Sequence, residues 1–297
     1  MSLTVRIVFF CIIGLCAGLL AWPLVETIVF FQGSFPSLFL LSITLGSVIG
    51  LIVGICFGIV EGITSHSRPK LFSGALTGLI IGLIGGILGF LAGQAAGLFI
   101  GNVFFYSNAA MQNFGNPIAK ALGWALLGIL VGIVEGVRSR SGAKIINGVL
   151  GGLLGGLLGG LAFEYSLKLL AQNILYARLL GMVILGVFIG LFYGLVENRL
   201  AKAKLYVLNG SQKGREVLLN QREFTVGLND EADMSLEGYR GIAPEHLIIK
   251  RRKNELILTD KKSATGTFVN DKKVTESALS DGDVIRVGDA QFLFKMK

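Results

Sequence analysis

Six apolar runs, each long enough to cross a lipid bilayer, occupy the first two thirds of the chain and leave it few ways to fold. They cover approximately residues 3–31, 37–63, 71–105, 118–137, 145–163 and 179–200. A membrane-spanning helix needs about 20 mostly apolar residues and satisfies its own backbone hydrogen bonds in lipid. The sequence therefore predicts an α-helical polytopic membrane bundle of about six spans.

The charged residues divide the chain into two parts of different chemistry. Residues 1–202 contain 11 Lys/Arg, five Glu and no Asp, whereas residues 203–297 contain 16 Lys/Arg and 14 Asp/Glu. About 25% of the residues in a soluble domain are charged, a proportion that only the second part reaches. We therefore predict a transmembrane domain over residues 1–202 and a separate soluble domain over residues 203–297. This division excludes a single soluble domain, and the apolar content excludes a disordered chain.

The basic residues between the apolar runs predict the orientation of the bundle. Nine of them fall on one side of an alternating topology and three on the other. Cytoplasmic loops carry an excess of Lys and Arg, so the side with nine is expected to be cytoplasmic. Both termini and the soluble domain of this multi-pass membrane protein are then cytoplasmic. The nine are Arg6, Arg68, Lys70, Arg138, Arg140, Lys144, Arg199, Lys202 and Lys204, and the three are Lys120, Lys168 and Arg178.

A short motif recurs at the ends of three apolar runs. GIVEG occupies residues 58–62 and 132–136, and the related GLVEN occupies residues 194–198. Glycine recurs at every fourth position in the third and fifth runs, beginning with Gly74 and Gly148. This spacing places glycine on one helix face and lets neighbouring helix backbones approach closely. We predict a repeated helical hairpin packed by glycine zippers, with faces that could also form a homo-oligomer.

Four glutamates within or beside the apolar runs are candidate functional residues, namely Glu26, Glu61, Glu135 and Glu197. An ionisable residue in a membrane span indicates a functional path or an ion pair, because an isolated charge in lipid is costly. The last three lie at the cytoplasmic ends of their spans, near basic residues, and are expected to pair or anchor there. A proton or ion path is the alternative. Glu26 lies near the other membrane surface, either as an interfacial residue or as a partner of Lys120.

The sequence offers no recognisable catalytic, metal or cofactor site. Cys11, Cys16 and Cys56 lie in apolar runs and lack the Cys-x-x-Cys spacing of metal sites. The two histidines, His66 and His246, are far apart in the sequence. The glycines repeat within helices and do not form a phosphate-binding loop after a strand. We therefore expect a protein that is not an enzyme and that holds no cofactor.

From residue 205 onward the pattern changes to short alternating runs typical of β-strands. Strands are predicted at residues 205–208, 224–226, 246–250, 256–259, 267–269, 284–287 and 291–294. Turn-forming pairs at residues 209–210, 253–254, 270–271 and 281–282 separate several of them. Roughly seven to eleven short strands in about 95 residues predict an all-β sandwich.

The order of motifs in this region resembles a forkhead-associated (FHA) domain. Four segments carry the resemblance: Phe-Thr-Val-Gly at residues 224–227, His-Leu-Ile-Ile at 246–249, Ser-Ala-Thr-Gly-Thr-Phe-Val-Asn at 263–270, and Leu-Ser-Asp-Gly-Asp at 279–283. The resemblance covers the last third of the chain. It implies an FHA-like, eleven-stranded β-sandwich whose apical loops bind phosphothreonine peptides.

Three family positions that contact a phosphopeptide are changed in this sequence. The resemblance implies Arg, Ser and Asn where Leu228, Ala243 and Thr265 stand. Hydrogen bonds to charged groups contribute about 1.5–3 kcal/mol each, so the changes at Leu228 and Ala243 weaken phosphate capture. The side chains that could compensate are Arg240, Lys262, Ser263 and Thr265, and the positions that match the family's loop structure are Gly227, His246, Gly266, Thr267 and Asn270.

These features predict a membrane protein that presents an FHA-like protein-interaction module to the cytoplasm and acts as a scaffold or recruitment platform. The expected partner is a cytosolic protein, with or without phosphothreonine, and a role in phospho-signalling is open. An FHA-regulated channel or transporter formed by the glycine-rich helices is the alternative, and a simple membrane anchor is a third interpretation. The basic run at residues 250–253 lacks interleaved aromatic residues, so nucleic acid is not an expected partner.

Overall fold

The computed structural model describes residues 3–65, 67–103, 111–139, 141–201, 203–219, 222–229, 232–252 and 255–296. The chain divides into two compact units. The helical unit consists of Arg6–Ile63 and Leu71–Glu197, and the other unit contains the β-strands. His66, Arg140, Lys202 and the turn predicted at residues 253–254 lie outside the described residues.

The described part of the chain contains six helical stretches that are long and apolar enough to cross a membrane, judged by length and composition. Each overlaps one predicted run. The third run was expected to reach residue 105, and residues 104 and 105 lie outside the description. The fifth was expected to end at residue 163, but its helix continues to Leu169. The helices are α1 (Leu3–Phe30), α2 (Leu38–Gly58), α3 (Val60–Ser65), α4 (Arg68–Val103), α5 (Asn116–Gly132), α6 (Val134–Arg138), α7 (Gly142–Leu169) and α8 (Ile174–Leu200).

The two GIVEG segments fold in the same way. In each, a long helix ends at the first glycine and a short helix begins at the valine. The isoleucine between them has nearly the same conformation in both, with φ −78° and ψ −10° at Ile59 and φ −78° and ψ −8° at Ile133. The related GLVEN segment lies within the continuous helix α8. Identical sequence therefore gives an identical break in the helix at two places.

Glycine-to-glycine contacts pair the long helices. A Cβ atom added at Gly54 would lie 2.8 Å from the Cα of Gly82, closer than Cβ atoms approach their neighbours in proteins. Backbones pack this closely only where side chains are absent. The glycine stripes are therefore occupied within one copy of the chain. The opposed glycines are 46/86, 50/82, 54/78 and 58/74 between α2 and α4, 128/152 and 132/148 between α5 and α7, and 14/186 between α1 and α8.

The strands of the second unit form two sheets. One sheet has six strands in the order β2-β1-β11-β10-β7-β8, and the other has five in the order β4-β3-β5-β6-β9. All pairs are antiparallel except β3 with β4. The strands are β1 (Ala203–Val207), β2 (Glu216–Leu218), β3 (Glu223–Gly227), β4 (Met234–Ser235), β5 (Leu247–Arg252), β6 (Glu255–Asp260), β7 (Thr267–Val269), β8 (Lys272–Val274), β9 (Glu276–Ala278), β10 (Val284–Val287) and β11 (Ala290–Met296).

Alternating residues of both sheets form one apolar core. On β1, Leu205 and Val207 are buried while Tyr206 between them is partly exposed. Phe292 and Phe294 on β11 repeat this spacing, and both are almost fully buried. Alternation places every second side chain on the same face of a strand. The predicted β-sandwich is thus confirmed, and the eleven strands among its described residues equal the number implied by the resemblance.

Candidate functional site

Loops at one end of the sandwich bring together Leu228 and Ala243, the two positions where the resemblance implies phosphate-binding Arg and Ser. Leu228 follows β3, and Ala243 precedes β5. The backbone N–H of Leu228 donates a hydrogen bond of 3.1 Å to the carbonyl oxygen of Ala243. The Leu228 side chain is 39% exposed, which is substantial for a leucine. A half-exposed apolar residue therefore lies where the resemblance implies a cation.

His246 holds two of these loops together. Its side chain is fully buried, and its Nδ1 accepts a hydrogen bond of 3.1 Å from the backbone N–H of Ala243. Its Nε2 lies 3.3 Å from the carbonyl oxygen of Gly266 and therefore carries the proton in the neutral ring. Burial lowers the pKa of His246, although the hydrogen bond to Gly266 and the Asp260 carboxylate oppose this effect. His246 thus has a structural role as a neutral hydrogen-bonding group.

Asp260, at the end of β6, organises the neighbouring loop. Its carboxylate accepts hydrogen bonds from the Ser263 backbone N–H at 3.0 Å, the Ser263 hydroxyl at 2.7 Å and the Thr267 hydroxyl at 2.7 Å. Burial alone would raise the pKa of Asp260, but these hydrogen bonds outweigh it and leave the pKa below its ordinary value. Asp260 was not predicted as a site residue. Its position three residues before Ser263, a common spacing for side-chain-to-backbone turns, was an available signal.

The remaining family positions also serve the fold of the loops. A Cβ atom at Gly227 would lie 2.7 Å from the carbonyl carbon of Pro244, so only glycine fits there. Gly266 has φ +76°, a conformation that favours glycine. Asn270 donates a hydrogen bond from Nδ2 to Asp283 at 2.8 Å and accepts one at Oδ1 from the backbone N–H of Val284 at 2.9 Å. These contacts hold the ends of β7 and β10 in place.

The four side chains expected to compensate for the lost contacts differ in availability. The hydroxyls of Ser263 and Thr265 already donate hydrogen bonds within the domain, the latter to the Gly241 carbonyl at 2.6 Å. Arg240 and Lys262 are exposed at the surface. In these loops the side chains of Arg240, Lys262 and Leu228 are therefore exposed, whereas the hydroxyls of Ser263 and Thr265 are engaged within the domain.

The helical unit brings two of the three motif carboxylates into one charged cluster. Arg138 donates a hydrogen bond to Glu61. Lys144 Nζ lies 2.8 Å from Glu135 and 3.6 Å from Glu61, so it links the two motifs. The Tyr193 hydroxyl donates a hydrogen bond of 3.0 Å to Glu135. All of these side chains are partly or fully buried, and opposite charges face one another throughout the cluster.

The third motif carboxylate, Glu197, pairs with the first helix. Arg6 Nε donates a hydrogen bond of 2.9 Å to Glu197, and an NH2 group of the same guanidinium contacts its other oxygen. This is the bidentate arrangement in which Arg binds a carboxylate most strongly. Each of the three motif carboxylates thus faces at least one basic side chain.

Charged side chains at the opposite end of the bundle pair differently from the expectation. Glu26 faces Arg178, with 3.0 Å between Oε1 and Nε, so of the two alternatives for Glu26 the pairing with Lys120 is not observed. Lys120 instead donates a hydrogen bond of 2.9 Å to Glu164. Glu164 was not singled out in the sequence because the fifth span was expected to end one residue earlier.

Comparison with known proteins finds relatives of the C-terminal region that forms the β-sandwich. Residues 206–297 match a family model described as the cytoplasmic domain of an inner membrane component of T3SS. The FHA domain-containing protein FhaA of Mycobacterium tuberculosis is 34% identical over 83 residues, which are 28% of this chain and 16% of FhaA. The C-terminal third is FHA-like. The resemblance inferred from the motifs is therefore confirmed.

Two further similarities concern the same FHA-like region. The oxoglutarate dehydrogenase inhibitor of Corynebacterium jeikeium is 29% identical over 92 residues, 31% of this chain and 63% of that protein. A crystal structure of the FhaA FHA domain in complex with the intracellular domain of Rv3910 is 32% identical, with a TM-score of 0.29. The similar region covers 31% of this chain and 99% of the chain in that crystal structure. The chain thus spans less than two thirds of the length of either curated relative.

Proposed function

We propose that this is an integral membrane protein that recruits a cytosolic protein through an FHA-like interaction domain. Residues 1–202 provide six membrane spans, and residues 203–297 provide the cytoplasmic domain. The matched family is described as an inner membrane component with a cytoplasmic domain, which supports this arrangement. The excess of basic residues on one side of the spans supports the same orientation. The FHA-like resemblance of the C-terminal third favours protein binding over catalysis as the activity.

The FHA-like domain is proposed to bind its partner without a phosphate group. The observation that carries this proposal is Leu228, an exposed apolar side chain hydrogen-bonded through its backbone to Ala243, where the family has two phosphate ligands. Apolar contact with Leu228 and charge attraction to Arg240 and Lys262 would then hold the partner. Such a surface suits an unphosphorylated segment with an apolar residue and neighbouring acidic residues.

A pair of peptide libraries tests this mode of binding. One library has phosphothreonine at its central position, and the other has threonine there. Full-length protein in detergent micelles is expected to bind the first no better than the second. The variant Leu228→Arg with Ala243→Ser restores two hydrogen bonds to a charged group, at about 1.5–3 kcal/mol each, and should prefer phosphothreonine by at least tenfold. Preference for phosphothreonine in the natural protein would refute the proposal.

The carboxylates of the helical unit are proposed to hold the helices together, with the close glycine pairs acting as glycine zippers. Each motif carboxylate faces a basic side chain, which supports a structural role over an ion path. Replacing Glu61, Glu135 and Glu197 together by Gln tests this role. Loss of stable protein, with no proton flux into liposomes before or after the change, is the expected result. Proton flux that the triple variant abolishes would favour the channel or transporter.

A further inference from the structure

The outward face of the six-stranded sheet carries apolar side chains where a solvated sheet is usually polar. Tyr206 on β1, Leu293 on β11 and Val284 on β10 lie side by side, because Leu293 is the register partner of both other residues. All three are only partly buried, whereas the residues that follow Tyr206 and Val284 belong to the core. Antiparallel sheets commonly alternate apolar residues that face the core with polar residues that face water. This row of apolar residues departs from that alternation, as an interaction surface does.

A fourth apolar residue extends the row and holds a cation in place. Phe268 on β7 is the register partner of Arg286 on β10, the next outward residue after Val284. The Arg286 guanidinium lies over the Phe268 ring, 4.0 Å from its centroid. Stacking of this kind orients the guanidinium and leaves the N–H groups at its edge able to donate. From β1 to β7 the row crosses three strand spacings, a length of about 14 Å.

Basic side chains flank this apolar row on both sides. Lys273 is the register partner of Phe268, and Lys295 is the register partner of Lys204. Lys273 and Arg286 therefore lie on one side of the row, and Lys204 and Lys295 lie on the other. An apolar row between two sets of cations is complementary to a partner with apolar residues between two sets of carboxylates.

The basic side chains outnumber the carboxylates near them. Lys204 contacts Glu216 at 3.5 Å. Arg286 lies 3.9 Å from Asp271, a distance that is too long for a hydrogen bond. The two remaining cations are exposed and face no carboxylate within ion-pair distance in the described part of the chain, namely Lys273 and Lys295. This face therefore keeps a net positive charge after its own ion pairs are counted.

We propose that this face docks an amphipathic helix of a protein partner, with an apolar stripe and acidic residues on both sides of the stripe. A helix rises 1.5 Å per residue, so the apolar row matches about three turns. The apolar stripe would cover the row, and the acidic residues would meet the flanking cations. The oriented guanidinium of Arg286 suits bidentate binding of a carboxylate. The surface lies on strands and is separate from the loops that carry Leu228, so it adds a second binding surface to the one proposed above.

Peptide binding to the full-length protein in phosphatidylcholine nanodiscs tests the proposal. The probe is a fluorescein-labelled helical peptide of about 14 residues, with leucines on one face and glutamates on both sides of that face. Fluorescence anisotropy should show saturable binding above the background of empty nanodiscs, and added salt should weaken it. Peptides with lysine in place of glutamate, or with two central prolines, should bind about tenfold more weakly. Equal binding of all three peptides would overturn the proposal.

Matched variants locate the peptide on this face. Lys273→Glu should weaken its binding about fivefold, whereas Lys272→Glu should retain it, because Lys272 pairs with Val269 and points to the other side of β8. Leu293→Ala should also weaken binding. Equal affinity of the two lysine variants would overturn the proposal, as would a loss of binding in Leu228→Asp, which would place the peptide at the loops. Neither result would affect the comparison of phosphothreonine with threonine at those loops.

Discussion

The glycine contacts between α2 and α4 predict that one added methyl group destabilises the helical unit. The change is Gly82→Ala in α4. The new Cβ would lie 2.8 Å from the Cα of Gly54 and closer still to the carbonyl oxygen of Gly50. Both neighbours are backbone atoms, so no side chain can rotate away. The two helices must move apart, and the contacts at the adjacent glycine pairs weaken with them.

The loss of stability expected for Gly82→Ala is best judged against Gly97→Ala in the same helix. Overpacking a well-packed core costs about 1–3 kcal/mol, which is the expected loss for Gly82→Ala. At Gly97 the nearest neighbour of an added Cβ is a side-chain carbon at 3.7 Å, so no such cost arises. Both changes gain the same helix propensity, at most about 1 kcal/mol. The difference between the two variants therefore isolates the cost of separating the backbones.

Thermal unfolding of the purified full-length protein in one detergent measures this difference. Gly97→Ala should unfold at the natural protein's temperature or slightly above it, and Gly82→Ala should unfold clearly below it. A Gly82→Ala protein as stable as Gly97→Ala would refute the close helix contact and the reasoning based on it. A loss of stability in both variants would instead point to an effect of alanine on the whole helix.

Three further predictions concern polar groups. Glu135→Gln leaves the buried Lys144 without its nearest carboxylate and should lower the free energy of unfolding in detergent by about 3–5 kcal/mol. Glu164→Gln should lower it less, because its partner Lys120 is 56% exposed. The stability of the FHA-like domain should fall as the pH drops below about 6.5, because His246 stays neutral in the folded state but gains a proton in the unfolded state. Hydrogen exchange measures this stability, and it should depend more steeply on pH in the natural protein than in the variant His246→Gln. Asp260→Ala should cost about 1–3 kcal/mol in the same assay by leaving three donors without their acceptor.

The main strands could be predicted from the sequence, while the short ones could not. All seven predicted strands correspond to observed strands, from β1 to β11. The strands that were not predicted are two or three residues long, namely β2, β4, β8 and β9. A period of two residues is weak over so short a segment. The three-residue β7 was predicted because it consists of the β-branched and aromatic residues Thr, Phe and Val, which favour strands. The strands that were not predicted depend on pairing with their longer neighbours, a tertiary effect that no local pattern records.

The scaffold of the candidate site was more predictable than its polar contacts. The motif alone gave a structural role for His246, and its two ring-nitrogen contacts agree with that role. The sequence could not show that the Thr265 hydroxyl would be engaged by Gly241, because the two lie on different loops. In the helical unit, polarity ended the predicted fifth span before Glu164, although an ion pair keeps this residue within the helix.

The pairing of α1 with α8 bears on how the bundle can assemble. Helices α2 and α4, like α5 and α7, are close in sequence and can pair as soon as both exist. Arg6 and Glu197 are 191 positions apart, so the α1–α8 contact closes the longest loop of the helical unit and is expected to form last. Until then Arg6 lacks its carboxylate, and a buried charge without a partner is costly. The bidentate pair therefore stabilises the complete bundle more than a partly assembled one.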